Sequence, residues 1–121
     1  MTVLADTSVW VDHWRHGNAA FAGLLEEDRI IMHPMVLGEL ALGDLRSRAD
    51  VLTDLAELRA GTLAEHAEVL ELVERRRLWG RGIGWVDAHL VASALLDGSR
   101  LWTLDRQLRR VAQNLGTNWT G

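Results

Sequence analysis

The sequence predicts an α/β fold, a three-layer α/β/α sandwich with a short, mainly parallel central sheet. Three observations predict it. Short apolar runs at Thr2–Ala5, Ile30–Met32 and Arg100–Leu104 have the length of buried strands. Each hands over at once to a polar residue or a proline and then to a stretch with helical spacing. No repeat, low-complexity tract or linker interrupts the 121 residues, so 1–121 is expected to form a single domain.

The elements follow in order. After the first strand, Asp6-Thr7-Ser8 forms the turn into a short helix from Ser8 to Arg15, with Val9, Trp10, Val11 and Trp14, which Gly17 ends. Asn18 can cap a second helix through Leu25. Ile30–Met32 is the second strand, and His33-Pro34 opens a helix to about Leu45, since proline is at home in a first turn. Ser47-Arg48-Ala49-Asp50 and Thr62-Leu63-Ala64-Glu65 match the capping-box pattern and predict helices beginning near residues 48 and 63. The first packs through Val51, Leu52, Leu55 and Leu58, the second through Leu63, Ala67, Leu70, Val73 and Leu78. Gly80–Gly84 is a flexible connection. A helix from Trp85 to Asp97 stops at Gly98, a strand follows, and the last helix runs from Asp105 to about Leu115, closed by Gly116. Thr117-Asn118-Trp119 is expected as a final edge strand.

Composition narrows the function. A 121-residue chain buries about two thirds of its unfolded surface without staples. Its 48% hydrophobic and 25% charged residues are those of a soluble globular domain, and no apolar run approaches the ~18 residues of a membrane span. Lack of cysteine and of a secretory leader leads us to expect a cytoplasmic protein without membrane contact. The net charge of -4 argues against binding nucleic acid by overall positive charge. All 13 basic residues are Arg, which fits biased composition and excludes any mechanism that requires a lysine.

The carboxylates carry the chemistry. At the carboxyl edge of a parallel sheet, where open α/β folds keep their ligands, Asp6 follows one strand and Asp105 another. Asp87 lies in the first turn of the helix after the glycine loop, and Glu39 projects from the helix after the second strand. Each has a plainer reading as a cap, a first-turn acid or a solvated side chain. Glu39 is flanked by Val36, Leu37, Gly38, Leu40 and Ala41 and is expected near a buried face, where it needs a partner. Clustered carboxylates repel, and a hard cation such as Mg2+ or Mn2+ relieves the repulsion while suiting phosphoryl chemistry.

Four ordered motifs, Leu4-Ala5-Asp6-Thr7-Ser8-Val9-Trp10, Leu37-Gly38-Glu39-Leu40, Gly84-Trp85-Val86-Asp87-Ala88-His89-Leu90 and Trp102-Thr103-Leu104-Asp105, make the chain resemble PIN-domain ribonucleases from end to end, specifically the VapC-type toxins of VapBC toxin–antitoxin systems. The resemblance implies that Asp6, Glu39, Asp87 and Asp105 are metal-binding catalytic acids supported by Ser8 and Thr103. It implies Mg2+- or Mn2+-dependent endonucleolytic RNA cleavage, a toxin homodimer, neutralisation by a small VapB-type antitoxin, and DNA contact only through that antitoxin. Many relatives carry a further acid after the last motif, where Leu108, Arg109 and Arg110 stand here, which leaves the metal count open.

Arg75–Arg77, Arg81, Arg106, Arg109 and Arg110 could line an RNA track; Arg81 and Arg106 are the candidate RNA-binding cations, Arg106 because it adjoins Asp105, whereas Arg75–Arg77 read as a solvated helix face. The six tryptophans read mostly as core or dimer contacts. His13 and His16 suggest a metal-free histidine ribonuclease, but they are three apart with no lysine to assist. A receiver domain needs a lysine, and a haloacid-dehalogenase phosphatase needs an acid where Ser8 stands. The alternative from another class is a catalytically silent PIN-fold binding module, against which retention of all four acids speaks.

Overall fold

A computed structural model describes residues 1–121. In chain order the elements are β1 (Val3–Ala5), α1 (Thr7–His16), α2 (Ala19–Glu26), β2 (Ile30–Met32), α3 (Pro34–Ala41), α4 (Arg48–Ala56), β3 (Arg59–Ala60), α5 (His66–Arg76), α6 (Trp85–Asp97), β4 (Arg100–Trp102) and α7 (Arg106–Asn114). The sheet order is β3-β2-β1-β4 and every pairing is parallel. β1 pairs with β2 on one side, Leu4 opposite Ile31, and with β4 on the other, Leu4 opposite Leu101. The chain leaves β1 in one direction and returns to it from the other, so the carboxyl ends of β1 and β4 bound the crevice where such sheets bind ligands.

Val3, Leu4 and Ala5 have no exposed surface, as a central parallel strand covered on both faces requires. α1 packs on α3 and α3 on α4, while α5 packs on α6. Right-handed crossovers place the helices that lead away from β1 and those that return to β4 on opposite faces, which completes the α/β/α layers. One core cluster joins the sheet to Val9, Trp10, Phe21, Val36, Leu90, Leu108 and Val111.

Several expectations about element ends are corrected. α3 stops at Ala41 rather than near Leu45, because the chain turns at Leu42-Gly43. Ser47 precedes α4 in a left-handed conformation, φ 49°, and its side chain caps nothing. α5 starts at His66, three residues later than expected, where Glu68 Oε1 accepts the Glu65 N–H at 2.9 Å; the cap has moved from Thr62 to Glu65. Its buried contacts come from Val69, Leu72 and Val73, whereas Leu63 and Leu70 are exposed. β3 was not expected at all: two exposed residues, Arg59 and Ala60, give no apolar signal, and their pairing to Ile31 and Met32 makes them an edge strand. The final edge strand is reduced to one bridge, Leu101 to Asn118.

His33, at the junction of β2 and α3, is wholly buried. Its Nδ1 accepts the Met35 N–H at 3.0 Å, so the neutral ring carries its proton on Nε2 and donates to Ser93 Oγ at 3.0 Å. Burial pushes the His33 pKa below the ordinary value, and nearby His89 pushes it the same way against an opposing pull from Asp97. The folded state therefore binds fewer protons at this ring than the unfolded chain. Its contribution is intact above the unfolded value of about 6.5 and is lost as pH falls towards the lowered folded value. In denaturant melts between pH 7.5 and 5.5, His33→Asn, whose amide oxygen can keep the Met35 cap, is expected to lose less stability on acidification than the parent. Equal losses in both proteins would refute the assignment.

Candidate active site

The site begins with the turn after β1. The Asp6 N–H donates to the Trp102 carbonyl at 3.0 Å, which ties this turn to the end of β4. Asp6 is buried, and its Oδ1 accepts the Val9 N–H at 3.2 Å and the Ser8 hydroxyl at 2.5 Å. Its Oδ2 accepts the Thr103 hydroxyl. The capping reading of Asp6 therefore holds. Each hydroxyl is fixed in polarity by a backbone donor behind it: Ser8 Oγ accepts the Leu104 N–H at 3.1 Å, and Thr103 Oγ1 accepts the Asp105 N–H at 3.0 Å. With one proton each, both hydroxyls must give it to Asp6. These bonds favour the carboxylate, but burial outweighs them and raises the Asp6 pKa above the ordinary range.

Asp87 enters from the first turn of α6, half-buried, with Oδ2 accepting the Gly84 N–H at 3.1 Å. Burial raises its pKa first; the Gly84 bond opposes; the charges of Asp6, Asp105 and Glu39 then raise it further. Desolvation, rather than mutual repulsion, leads at both acids. Asp105 caps α7 through the Leu108 N–H at 2.9 Å and is exposed.

Glu39 corrects one expectation. It is exposed, because Val36 and Leu40 take the buried side of α3. Its partner is the Thr7 hydroxyl, which donates to Oε1 at 2.7 Å. Thr7 is the residue that sequence reasoning missed, although its place between Asp6 and Ser8 marked it.

The four acids thus meet at one sheet edge, near enough for Asp87 to feel the other three, yet no three His, Asp or Glu side chains are gathered tightly enough to grip one ion. Each carboxylate is held by its own hydroxyl or N–H donor. The donors are all carboxylate oxygens, the chemistry that suits a small hard cation which keeps most of its waters and takes one or two carboxylates directly.

The arginines are divided. Arg81 is half-buried in the glycine loop and shares a cavity with Gln107 and Arg110, whereas Arg106 is exposed beside Asp105 and lines no part of it. His13 and His16 close α1: His13 Nδ1 accepts the Asn18 N–H at 3.0 Å, and His16 lies 3.1 Å from Asp12. Trp10 and Trp102 are core residues, and Trp119 stacks on Trp102 at 3.9 Å.

The PIN domain family matches the chain over residues 3–114. Ribonuclease VapC32 of Mycobacterium tuberculosis, in strains CDC 1551 / Oshkosh and ATCC 25618 / H37Rv, is 49% identical over 115 residues, 94% of this chain and 93% of the relative. The crystal structure of PAE2754 from Pyrobaculum aerophilum has a TM-score of 0.61 at 18% identity, covering 91% of this chain and 78% of that one, a likeness of fold. With the parallel sheet, the acids at its edge and these similarities together, the chain belongs to the PIN-domain family, among its VapC-type ribonucleases.

Proposed function

We propose that the protein is the toxin of a type II toxin–antitoxin pair, a metal-dependent endoribonuclease that hydrolyses RNA phosphodiester bonds at the cluster of Asp6, Glu39, Asp87 and Asp105. The observation that carries this reading is the position of Asp87, desolvated and within the fields of three other acids. Mg2+ or Mn2+ bound there would supply an activated water and offset charge on the attacked phosphate. Asp6 and Asp87 are suited to hold the ion directly, and Glu39 and Asp105 to reach it directly or through its waters. Ser8 and Thr103 do not react; they hold the Asp6 carboxylate in one orientation with its oxygens as acceptors. Thr7 does the same for Glu39.

A groove of about 600 Å³ runs from Thr7 and Glu39 past Val11, Trp14, Leu40 and Val51. Its apolar wall and acidic end suit a VapB-type antitoxin segment that lays apolar side chains along it and brings an arginine into the crevice. Exposed Leu70, Leu95 and Leu96 offer apolar surface for a homodimer. DNA would be reached only through the antitoxin. No helix is long and apolar enough to cross a membrane, and we place the toxin with its RNA substrate in the cytoplasm. Incubating purified protein with total RNA plus Mg2+ or Mn2+ and mapping the cut ends tests the reading. Discrete ends that depend on the metal support it; RNA left intact, with antitoxin excluded from the preparation, supports a silent binding module.

A further inference from the structure

The loop Gly80–Gly84 lies against the first turn of α7. Gly82 approaches so closely that a Cβ there would come within 2.9 Å of Gln107 Cγ. Gly80 and Gly82 are both left-handed, φ 68° and 78°, on either side of Arg81, a backbone of the alternating kind that gathers successive N–H groups around anions. The N–H groups of Gly80 and Gly82 donate to no carbonyl of the chain. Between loop and helix is a cavity of about 440 Å³ lined by Gly80, Arg81, Gly82, Gln107 and Arg110, with no apolar residue. Ion pairs occupy Arg29, Arg59 and Arg75, but neither Arg81 nor Arg110. Two unpaired guanidinium groups, a side-chain amide and free backbone donors converge on one polar cavity.

The cavity is anchored to the acid cluster at both ends. Gly84, which closes the loop, donates to Asp87. Asp105 begins the helix that carries Gln107 and Arg110, and Arg110 stands five residues along it, about 7.5 Å of helix rise.

We infer that this cavity is a phosphate subsite, in which Arg81 and Arg110 hold one backbone phosphate of the RNA flanking the bond that is cut. The inference rests on the ribonuclease reading and adds to it a place that positions the strand. A polar cavity with two cationic forks and no acid takes an anion of tetrahedral oxygens, and the guanidinium groups bind it without reading a base. Because the acids repel the scissile phosphate in the absence of metal, a fixed cationic grip on its neighbour holds the strand in register.

The test uses a fluorescein-labelled single-stranded RNA in chelator, where it stays intact, with binding followed by anisotropy at several salt concentrations. Arg81→Ala and Arg110→Ala are each expected to weaken binding about tenfold. The double variant should lower the salt slope by about 0.7, the value for one lost phosphate contact on a single strand, and each single variant by no more than that, because both groups share one phosphate. A methylphosphonate walked along the oligonucleotide should reproduce the loss at one linkage in the parent and change nothing further in the double variant. The control pair Arg75→Ala with Arg76→Ala, on the solvated face of α5, should have little effect. Variants that bind like the parent, or no worse than the control pair, overturn the subsite while metal-dependent cleavage by the parent keeps the ribonuclease reading. If the parent neither binds nor cuts RNA, that reading fails instead. Inorganic phosphate then decides the subsite alone: it should move the side-chain Nε resonances of Arg81 and Arg110 but not those of Arg75 and Arg76, and unmoved resonances overturn it.

Discussion

Asp87→Asn and Asp6→Asn are each expected to lower RNA cleavage at least about a thousandfold, roughly 4 kcal/mol of barrier, with the fold retained. An amide oxygen ligates a hard cation weakly and brings no negative charge. The fold survives for a local reason at each position. At residue 87 the amide oxygen can still accept the Gly84 N–H. At residue 6 it can still accept from Ser8 and Val9, which keeps the cap of α1. Cleavage rates at saturating Mn2+, with circular dichroism as the check on folding, measure this. Activity within tenfold of the parent in both variants, free of contaminating nuclease, would remove the acids from the mechanism.

Phe21→Ala is expected to cost about 3–5 kcal/mol of stability. That is a large part of the 5–15 kcal/mol typical of a domain, and it corresponds to a melting temperature lower by roughly 10–20 °C. Phe21 has no exposed surface, and its ring sits edge-on to Trp10 at 4.7 Å and tilted against Trp102 at 5.8 Å. Those two tryptophans stand next to the acid turn and to Thr103 respectively, so the cavity left by the ring loosens the frame of the Asp6 clamp as well as the core. A loss below about 1 kcal/mol would show that the two indoles close over the gap.

The sequence disclosed the parts of this molecule that rest on strong local signals. β1, β2 and β4 are apolar runs, Asp6, Asn18 and Asp105 are caps with the expected side chains, and the ends of α6 obey its glycines. β3 escaped because an edge strand of two exposed residues needs no apolar pattern; its backbone pairing to β2 makes it a strand. The first capping box marked the start of α4 at Arg48, although Ser47 makes no side-chain cap; the second misled because a Thr three residues before an acid is also common in turns, and Glu65 caps α5 instead. The acids were placed at the right edge, since parallel strands fix where their ends lie. Their surroundings were not legible: apolar neighbours suggested burial of Glu39, yet helix periodicity put Val36 and Leu40 inside and left Glu39 out with Thr7. Arg81 and Arg110 both read as possible RNA contacts, but that they share one cavity follows from the fold of the glycine loop, which spacing does not reveal.

Asp6 and Asp87, with pKa values raised mainly by burial, bind more protons in the folded than in the unfolded state. Their contribution to stability is fully present below the unfolded value of about 4 and is lost as pH rises through the raised folded values. At neutral pH without metal the acid edge is therefore strained. Asp87 feels the charges of the other three acids, so Asp87→Asn relieves that strain and removes a cation ligand in one change. The decisive measurement is the pair of thermal melts at neutral pH, parent and Asp87→Asn, in chelator and in excess Mn2+. The cluster predicts that the variant melts higher than the parent in chelator and gains much less from Mn2+. A variant that melts lower in chelator and gains as much as the parent from the metal would contradict it.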